Sequence, residues 1–243
     1  MKCILLAAGY ATRLYPLTEH MPKALLMLGS KTILDRVFDK IEEVESVDEV
    51  YIVTNHRFAD NFSDWAKNYK GRLSVKVLDD GTTSNDNRLG AIGDINYVLE
   101  NANVSGEILV MASDNIFDFS LNDMDSLFKR TGTSVIAAHY VEEKSELQRM
   151  GVVEFDDNYK VVGFVEKPQE PKTHWGVLPF YFYTKEATAL IPQYLADGNN
   201  PDAPGHLVPY IADRVGVYGY TFDTMAIDIG TPKSLEEAQK LFD

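Results

Sequence analysis

Residues 4–26 read ILLAAGYATRLYPLTEHMPKALL, and this stretch decides both the first strand and the loop after it. An apolar run ends abruptly in Ala7, Ala8 and Gly9. A polar loop then carries Arg13 and, after Pro22, Lys23. Small residues let a ligand lie on the backbone, because no bulky side chain holds it away and N–H groups can point at anionic oxygens. Two fixed cations on one loop suit a polyphosphate. Taken alone, the segment fits an ordinary strand-to-loop turn with two solvated cations as well.

Two common phosphate motifs are absent. A dinucleotide fingerprint needs G-x-G-x-x-G after the first strand. Here only Gly9 is present, with Ala11 and Leu14 at the other two positions. A P-loop needs G-x-x-x-x-G-K-[ST]; Gly29-Ser30-Lys31-Thr32 inserts Ser30 and has Ala24 where the first glycine should lie. Neither a hydride-transfer cofactor nor a P-loop NTPase is supported.

The loop instead resembles that of the NDP-sugar pyrophosphorylases, the sugar-phosphate nucleotidyltransferases that make nucleotide sugars. Their signature is roughly L-A-A-G-x-G-T-R-L-x-P-x-T followed by P-K-x-L, and it stands here as Leu6 to Thr18 and Pro22 to Leu25. One position departs from it: Ala11 replaces a glycine. Alanine is penalised at positive φ, so a slightly different loop path is expected. The resemblance implies nucleotide binding by Leu6, Ala7, Ala8, Gly9, Thr12, Arg13 and Lys23, with Arg13 and Lys23 also catalytic.

Composition bounds the alternatives. At 243 residues, with 45% hydrophobic and 25% charged residues, the chain has the size and balance of one globular α/β domain. Net charge is 23 − 37 = −14, which argues against a nucleic-acid partner, since phosphate backbones need a basic surface. An anionic substrate must then be held by a local cationic cluster or a metal, against the overall field. Cys3 is the one cysteine; its apolar run suits a buried core thiol rather than a reactive one. No signal peptide or membrane-spanning apolar stretch is evident, so a soluble, cytoplasmic protein is expected.

Along the first half, strand and helix patterns alternate. Residues 2–8, 49–54, 73–78 and 107–112 read as strands; 32–44, 58–69 and 92–100 read as helices. Such alternation implies βαβ units and a parallel sheet. After residue 130 come strand patterns at 134–140, 152–155, 161–164 and 178–183, with Asp156-Asp157-Asn158 as a hairpin turn. Helices are expected at 185–196, 207–214 and 232–242, the last capped by Thr231, with a strand at 216–222 between them. The fold expected is α/β: a Rossmann-like, mixed but mostly parallel sheet flanked by helices, with an inserted β-rich sugar-binding half, as in nucleotide-diphospho-sugar transferases. The division expected is a nucleotide-binding half over about 1–130 and a sugar-phosphate half over about 131–243, without a linker. The segment 198–205 (GNNPDAPG) is a loop suited to closing over substrate.

Ligands of open α/β sheets lie beyond the carboxyl ends of the strands. Asp114 follows such an end, beside Asn115, where a lone aspartate is usually a turn former. Asp228 stands in Ile227-Asp228-Ile229-Gly230-Thr231, before the last helix, a favourable but ordinary place for an acid. The resemblance turns both into magnesium ligands, since family members carry G-D-N/D and D-x-G-T at these points. Two carboxylates plus phosphate oxygens and water make a site of the expected kind. Glu166-Lys167-Pro168 matches the family's E-K-P; without the other motifs it would read as a solvated ion pair. The resemblance makes Lys167 a catalytic grip on the acceptor phosphate, and has Asn115, Gly151, Glu166 and Val177 contact the sugar phosphate. For the base, Asn85 and Gly90 are the candidates, although the segment Asn85–Gly93 departs from the thymidylyltransferase pattern.

The resemblance is to short, glucose-1-phosphate thymidylyltransferase-like members. It implies an enzyme joining an NTP, dTTP or UTP in the first place, to a sugar 1-phosphate such as glucose 1-phosphate, with Mg2+ as cofactor and release of pyrophosphate. Two other readings stay open. One is a cytidylyltransferase acting on phosphocholine or another small phospho-alcohol; the other is an inactive module that senses nucleotide sugars.

Overall fold

The computed structural model describes residues 1–242. The first half runs β1 (Lys2–Leu6), β2 (Met27–Leu28), β3 (Lys31–Thr32), α1 (Ile33–Glu42), β4 (Glu49–Thr54), α2 (Ala59–Asn68), β5 (Ser74–Asp79), α3 (Ala91–Asn101) and β6 (Ile108–Ala112). Next come β7 (Asn115–Phe117), α4 (Leu121–Thr131), β8 (Ser134–Tyr140), α5 (Lys144–Leu147), β9 (Gly151–Phe155), β10 (Val161–Glu166) and β11 (Trp175–Tyr183). The chain closes with α6 (Lys185–Ala189), α7 (Ile191–Ala196), α8 (Leu207–Val215), β12 (Val217–Phe222), β13 (Ala226–Asp228) and α9 (Pro232–Gln239). Helices flank mixed β-structure, as the pattern implied.

Two compact units interleave along the chain: 1–88 with 112–121 and 224–243, and 89–111 with 122–223. A single division near residue 130 is therefore not how the compact units divide; residues 224–242 belong with the first strand. In the first unit β1, β4 and β5 are parallel, with Lys2 opposite Glu49 and Glu49 opposite Ser74. α1 and α2 are the crossovers that parallel neighbours require. Thr32 caps α1 by accepting from the Asp35 N–H while Asp35 answers with its carboxylate, and Ile33, Leu34, Val37, Phe38 and Ile41 turn inward. β4 (EVYIVT) is buried along its whole length, as a central parallel strand should be. Cys3 is fully buried in β1, and burial pushes its thiol up.

In the second unit β11 is the axis. It runs antiparallel to β9 and β6 along one edge and to β8 along the other, and β12 adds parallel to β8. Its register shifts between Leu178 and Tyr181, around Pro179, which has no N–H to give a neighbouring strand. The Asp156-Asp157-Asn158 turn joins β9 to β10 as expected, with Asp156 N–H bonded to the Lys160 carbonyl. The expected helix 185–196 is two, because Pro192 stands in the first turn of α7 and has no N–H to continue α6. α4 was not expected from the sequence. Leu121, Met124 and Phe128 are buried on its inner face, and so is Asp125, which pairs with Lys129.

One ion network here makes a pH prediction. Glu49 accepts from Lys76 at 2.8 Å, Tyr51 at 2.7 Å and Lys2 at 3.2 Å. Lys76 is the largest cause holding its carboxyl near about 2, against burial. A depressed folded-state value gives stability that is complete above the ordinary carboxylate range and is lost as pH falls toward that lower value. Glu49→Gln should therefore lose less stability than wild type between about pH 4.5 and pH 2. Urea midpoints measured against pH check this, and parallel curves for the two proteins would reject it.

Candidate active site

The first unit gathers four charged side chains from four separate segments. β1 ends at Leu6, and the chain is anchored on both sides: Ala7 N–H bonds the Val53 carbonyl, and Asn55 Nδ2 donates to the Ala8 carbonyl at 2.8 Å. Gly9 is exposed, and a Cβ built there would meet nothing within 4 Å. That face of the loop is open to a ligand, and only the missing side chain keeps it so. Ala11 adopts φ 47°, ψ 41°, the left-handed region. Its carbonyl accepts from Leu14 N–H at 2.9 Å and from the fully buried Thr18 hydroxyl at 2.8 Å. The left-handed turn is thus held by these bonds, at a conformational cost at Ala11. Thr12 and Arg13 lie on the short 3-10 turn immediately after it, both exposed.

Lys23 leads a second 3-10 turn after Pro22 and forms an ion pair with Asp114. Asp114 is presented by the chain just beyond Ser113, whose N–H bonds the Leu6 carbonyl. Asn115 opposite Asp228 starts the antiparallel pairing of β7 with β13, and Ile229 N–H donates to the Asp114 carbonyl at 3.0 Å. A Cβ at the buried Gly230 would lie 3.2 Å from both Arg13 Nη2 and Asp228 Oδ2, so the guanidinium and the carboxylate share that corner. Asp228 keeps solvent on one side but is crowded on the other. Its carboxyl is raised, first by desolvation and then by the Asp114 charge, against Lys23 and Arg13. Two hard carboxylates in electrostatic reach of one another, with an ammonium already drawn to one of them, form a donor set that fits a divalent cation. Among the described residues no group of three or more His, Cys, Asp or Glu could hold a metal by itself, so substrate oxygens and water would have to complete the shell.

Asn115 is 1% exposed and spends its Nδ2 on Asp114 Oδ1 at 2.9 Å. In this structure it positions Asp114. Asn85 sits on an exposed 3-10 turn. The end of β5 offers buried polar atoms that sequence reasoning missed: Asp80 Oδ2 and Thr82 Oγ1, with Tyr10 OH and Asn55 Oδ1, have no protein partner among the described residues. Burial raises the Tyr10 phenol, and the Asp80 charge adds to this. Their only sequence signal was polarity in the segments that follow strands.

The second unit holds the remaining candidates. Register puts Gly151 opposite both Glu166 on β10 and Val177 on β11. A Cβ at Gly151 would lie 3.2 Å from Glu166 Oε2 and would collide with the Phe164 ring. Glu166 is half-buried, and its carboxyl is raised by that burial and by Asp202, while Lys167 and His206 oppose the rise. Lys167 is exposed with φ 48°, its N–H held by the Met150 carbonyl at 3.1 Å; a lysine in this region is a strained conformer of the kind that collects at functional sites. Gly90, at φ +79°, faces the Pro201 carbonyl, which a Cβ would approach to 2.5 Å. Its close approach is thus to the 198–205 loop: Ala91 and Ile92 N–H groups bond the Asp202 and Pro201 carbonyls.

A glycine-ended first strand, two cations and two facing carboxylates define an α/β protein equipped for a polyphosphate and a divalent cation. The chain belongs to the nucleotidyl transferase family, whose model matches residues 2–242. It is 25% identical over 240 residues to the bifunctional protein GlmU of Methanocaldococcus jannaschii, covering 99% of this chain and 54% of that one. It is 28% identical over 254 residues to the glucose-1-phosphate thymidylyltransferase of Neisseria meningitidis, covering 98% and 81%. The chain thus spans about half the length of the first of these relatives. The structure of a UDP-glucose pyrophosphorylase complexed with UDP-glucose superposes with a TM-score of 0.84 at 19% identity, covering 99% of this chain and 97% of that one, and shows the shared fold. No helix among the described residues is long and apolar enough to cross a membrane.

Strain at Ala11 can be measured. Ala11→Gly removes a penalty of roughly 1–2 kcal/mol and adds back about 0.4–1 kcal/mol of unfolded-chain freedom. The variant should be more stable by about 0.5–1 kcal/mol in urea unfolding. A destabilised variant would show that the left-handed turn carries no strain.

Proposed function

We propose that this protein transfers a nucleoside monophosphate from an NTP to a sugar 1-phosphate, releasing pyrophosphate, with Mg2+ as cofactor. The observation that carries the reading is the convergence of Arg13, Lys23, Asp114 and Asp228 in one unit, beside an open glycine at the end of β1. The names of the relatives support dTTP or UTP as donor and glucose 1-phosphate as acceptor.

In the proposed reaction an oxygen of the acceptor phosphate forms a bond to the α-phosphorus, and the bond from that phosphorus to the β-phosphate oxygen breaks. The electron pair leaves with pyrophosphate. The acceptor's second ionisation lies near about pH 6, so it is already mostly dianionic at neutral pH and needs no general base. The demand is for alignment and for neutralisation of charge. Arg13 would hold the triphosphate and stabilise the departing pyrophosphate. Lys23, paired here with Asp114, would serve the same phosphates. Asp114 and Asp228 would hold Mg2+, which when bound supplies charge neutralisation at phosphoryl oxygens. In the second unit Lys167 would grip the acceptor phosphate, and Glu166 would accept from sugar hydroxyls beside Gly151 and Val177.

A pyrophosphate-release assay across four NTPs, with glucose 1-phosphate, other sugar 1-phosphates and phosphocholine as acceptors, tests this. Release with a sugar 1-phosphate supports it; release with phosphocholine alone would replace the sugar by a phospho-alcohol. Nucleotide binding without release from any pair would make the protein a sensor. Asp114→Asn should lower turnover by at least about a hundredfold, since metal charge stabilisation is worth several kcal/mol. Near-normal turnover in that variant would remove Asp114 from the metal site.

A further inference from the structure

We infer that His206, through its Nδ1–H, is a substrate-binding residue of the acceptor half, paired with Glu166; this rests on the transferase reading above. Gly205 lies against Glu166: a Cβ there would collide with Oε2 and come within 2.8 Å of the Phe164 ring. Together with Gly151 on the other strand, it leaves the Glu166 carboxylate flanked by two bare backbones. The next residue along is His206, which lies within electrostatic reach of Glu166, as do Lys167 and Asp202.

The ring of His206 is oriented by its surroundings. Asn200 Oδ1 accepts from Asp202 N–H at 2.9 Å, which fixes the amide and turns its Nδ2 toward His206 Nε2, 3.2 Å away. Nε2 therefore accepts, and the neutral ring carries its proton on Nδ1. Nδ1 has no protein partner among the described residues. The loop itself is tied down. Tyr194 OH bonds the Asn200 carbonyl at 2.8 Å, and the first two amides of α3 bond Pro201 and Asp202. Gly90 makes room for that contact, since any Cβ would strike the Pro201 carbonyl.

A half-buried carboxylate that accepts and an imidazole N–H that donates form a complementary pair. The chemistry recognised is an anionic, hydroxyl-bearing acceptor: hydroxyls donate to Glu166, while a phosphate or hydroxyl oxygen accepts from His206. The segment 198–205 is then part of the binding wall, with its orientation set before substrate arrives.

The test is steady-state kinetics with the wild-type protein's own NTP and the acceptor it turns over, chosen from glucose 1-phosphate, N-acetylglucosamine 1-phosphate and phosphocholine. His206→Ala should raise the acceptor KM about tenfold, the scale of one hydrogen bond to an ionic group. The nucleotide KM, kcat and urea midpoint should stay close to wild type. His206→Asn, whose amide can place an N–H where Nδ1 stood, should recover most of the affinity. An unchanged acceptor KM in His206→Ala, or a loss of kcat and stability without an acceptor-specific KM change, overturns this role and leaves the transferase reading intact. No transfer by wild type with any pair overturns that reading and this inference with it.

Discussion

The short antiparallel pairing of Asn115–Phe117 with Ala226–Asp228 is the contact on which the first unit's chemistry depends. Neither segment has the length or the periodicity to fold alone. Held together by backbone bonds, they bring Asp114 and Asp228 into mutual electrostatic reach and carry the last helix back to the unit that contains β1. Two carboxylates so placed repel. Lys23, Arg13 and the partial exposure of Asp228 keep that repulsion tolerable. The same imbalance is what prepares the corner for a divalent cation and the anions that accompany it.

Backbone permissiveness is used sparingly and locally. Gly9 leaves one side of the phosphate loop open, and Gly151 and Gly205 let bare backbone pack against the Glu166 carboxylate from two directions. Ala11 and Lys167 hold left-handed conformations without being glycines. Both lie directly beside candidate binding residues. In each case neighbouring hydrogen bonds, from Leu14 and Thr18 to the Ala11 carbonyl and from Lys167 to Met150, hold a conformer that the isolated residue would avoid.

Much of this was legible in the chain. Apolar runs ending in small residues defined β1, β4 and β6, because a strand buried on both faces must be continuously apolar. Helical spacing defined α1 within a residue or two, while its Thr32–Asp35 capping pair came to light only in the structure. The elements that escaped were β7, β13 and α4, together with the two-residue β2 and β3 and the four-residue α5. The first two are three residues long and owe their conformation to one another rather than to propensity. The third buries Asp125 among Leu121, Met124 and Phe128, and the charged residue interrupts its apolar stripe.

The same division holds for the candidate site. The sequence by itself determined the identity of the charges, Arg13, Lys23, Asp114, Lys167 and Asp228, and the family to which they point, since motif spacing is a local property of the chain. Only the tertiary structure decided their company. It assigned Asn115 to Asp114, left Asn85 on an exposed turn, set Gly90 against Pro201, and raised His206, Asp80 and Asn55 from unremarked loop residues to neighbours of the candidate site. The reason is physical. A side chain's hydrogen-bond partner and its burial are fixed by segments distant in sequence, and no local pattern records which segments those are.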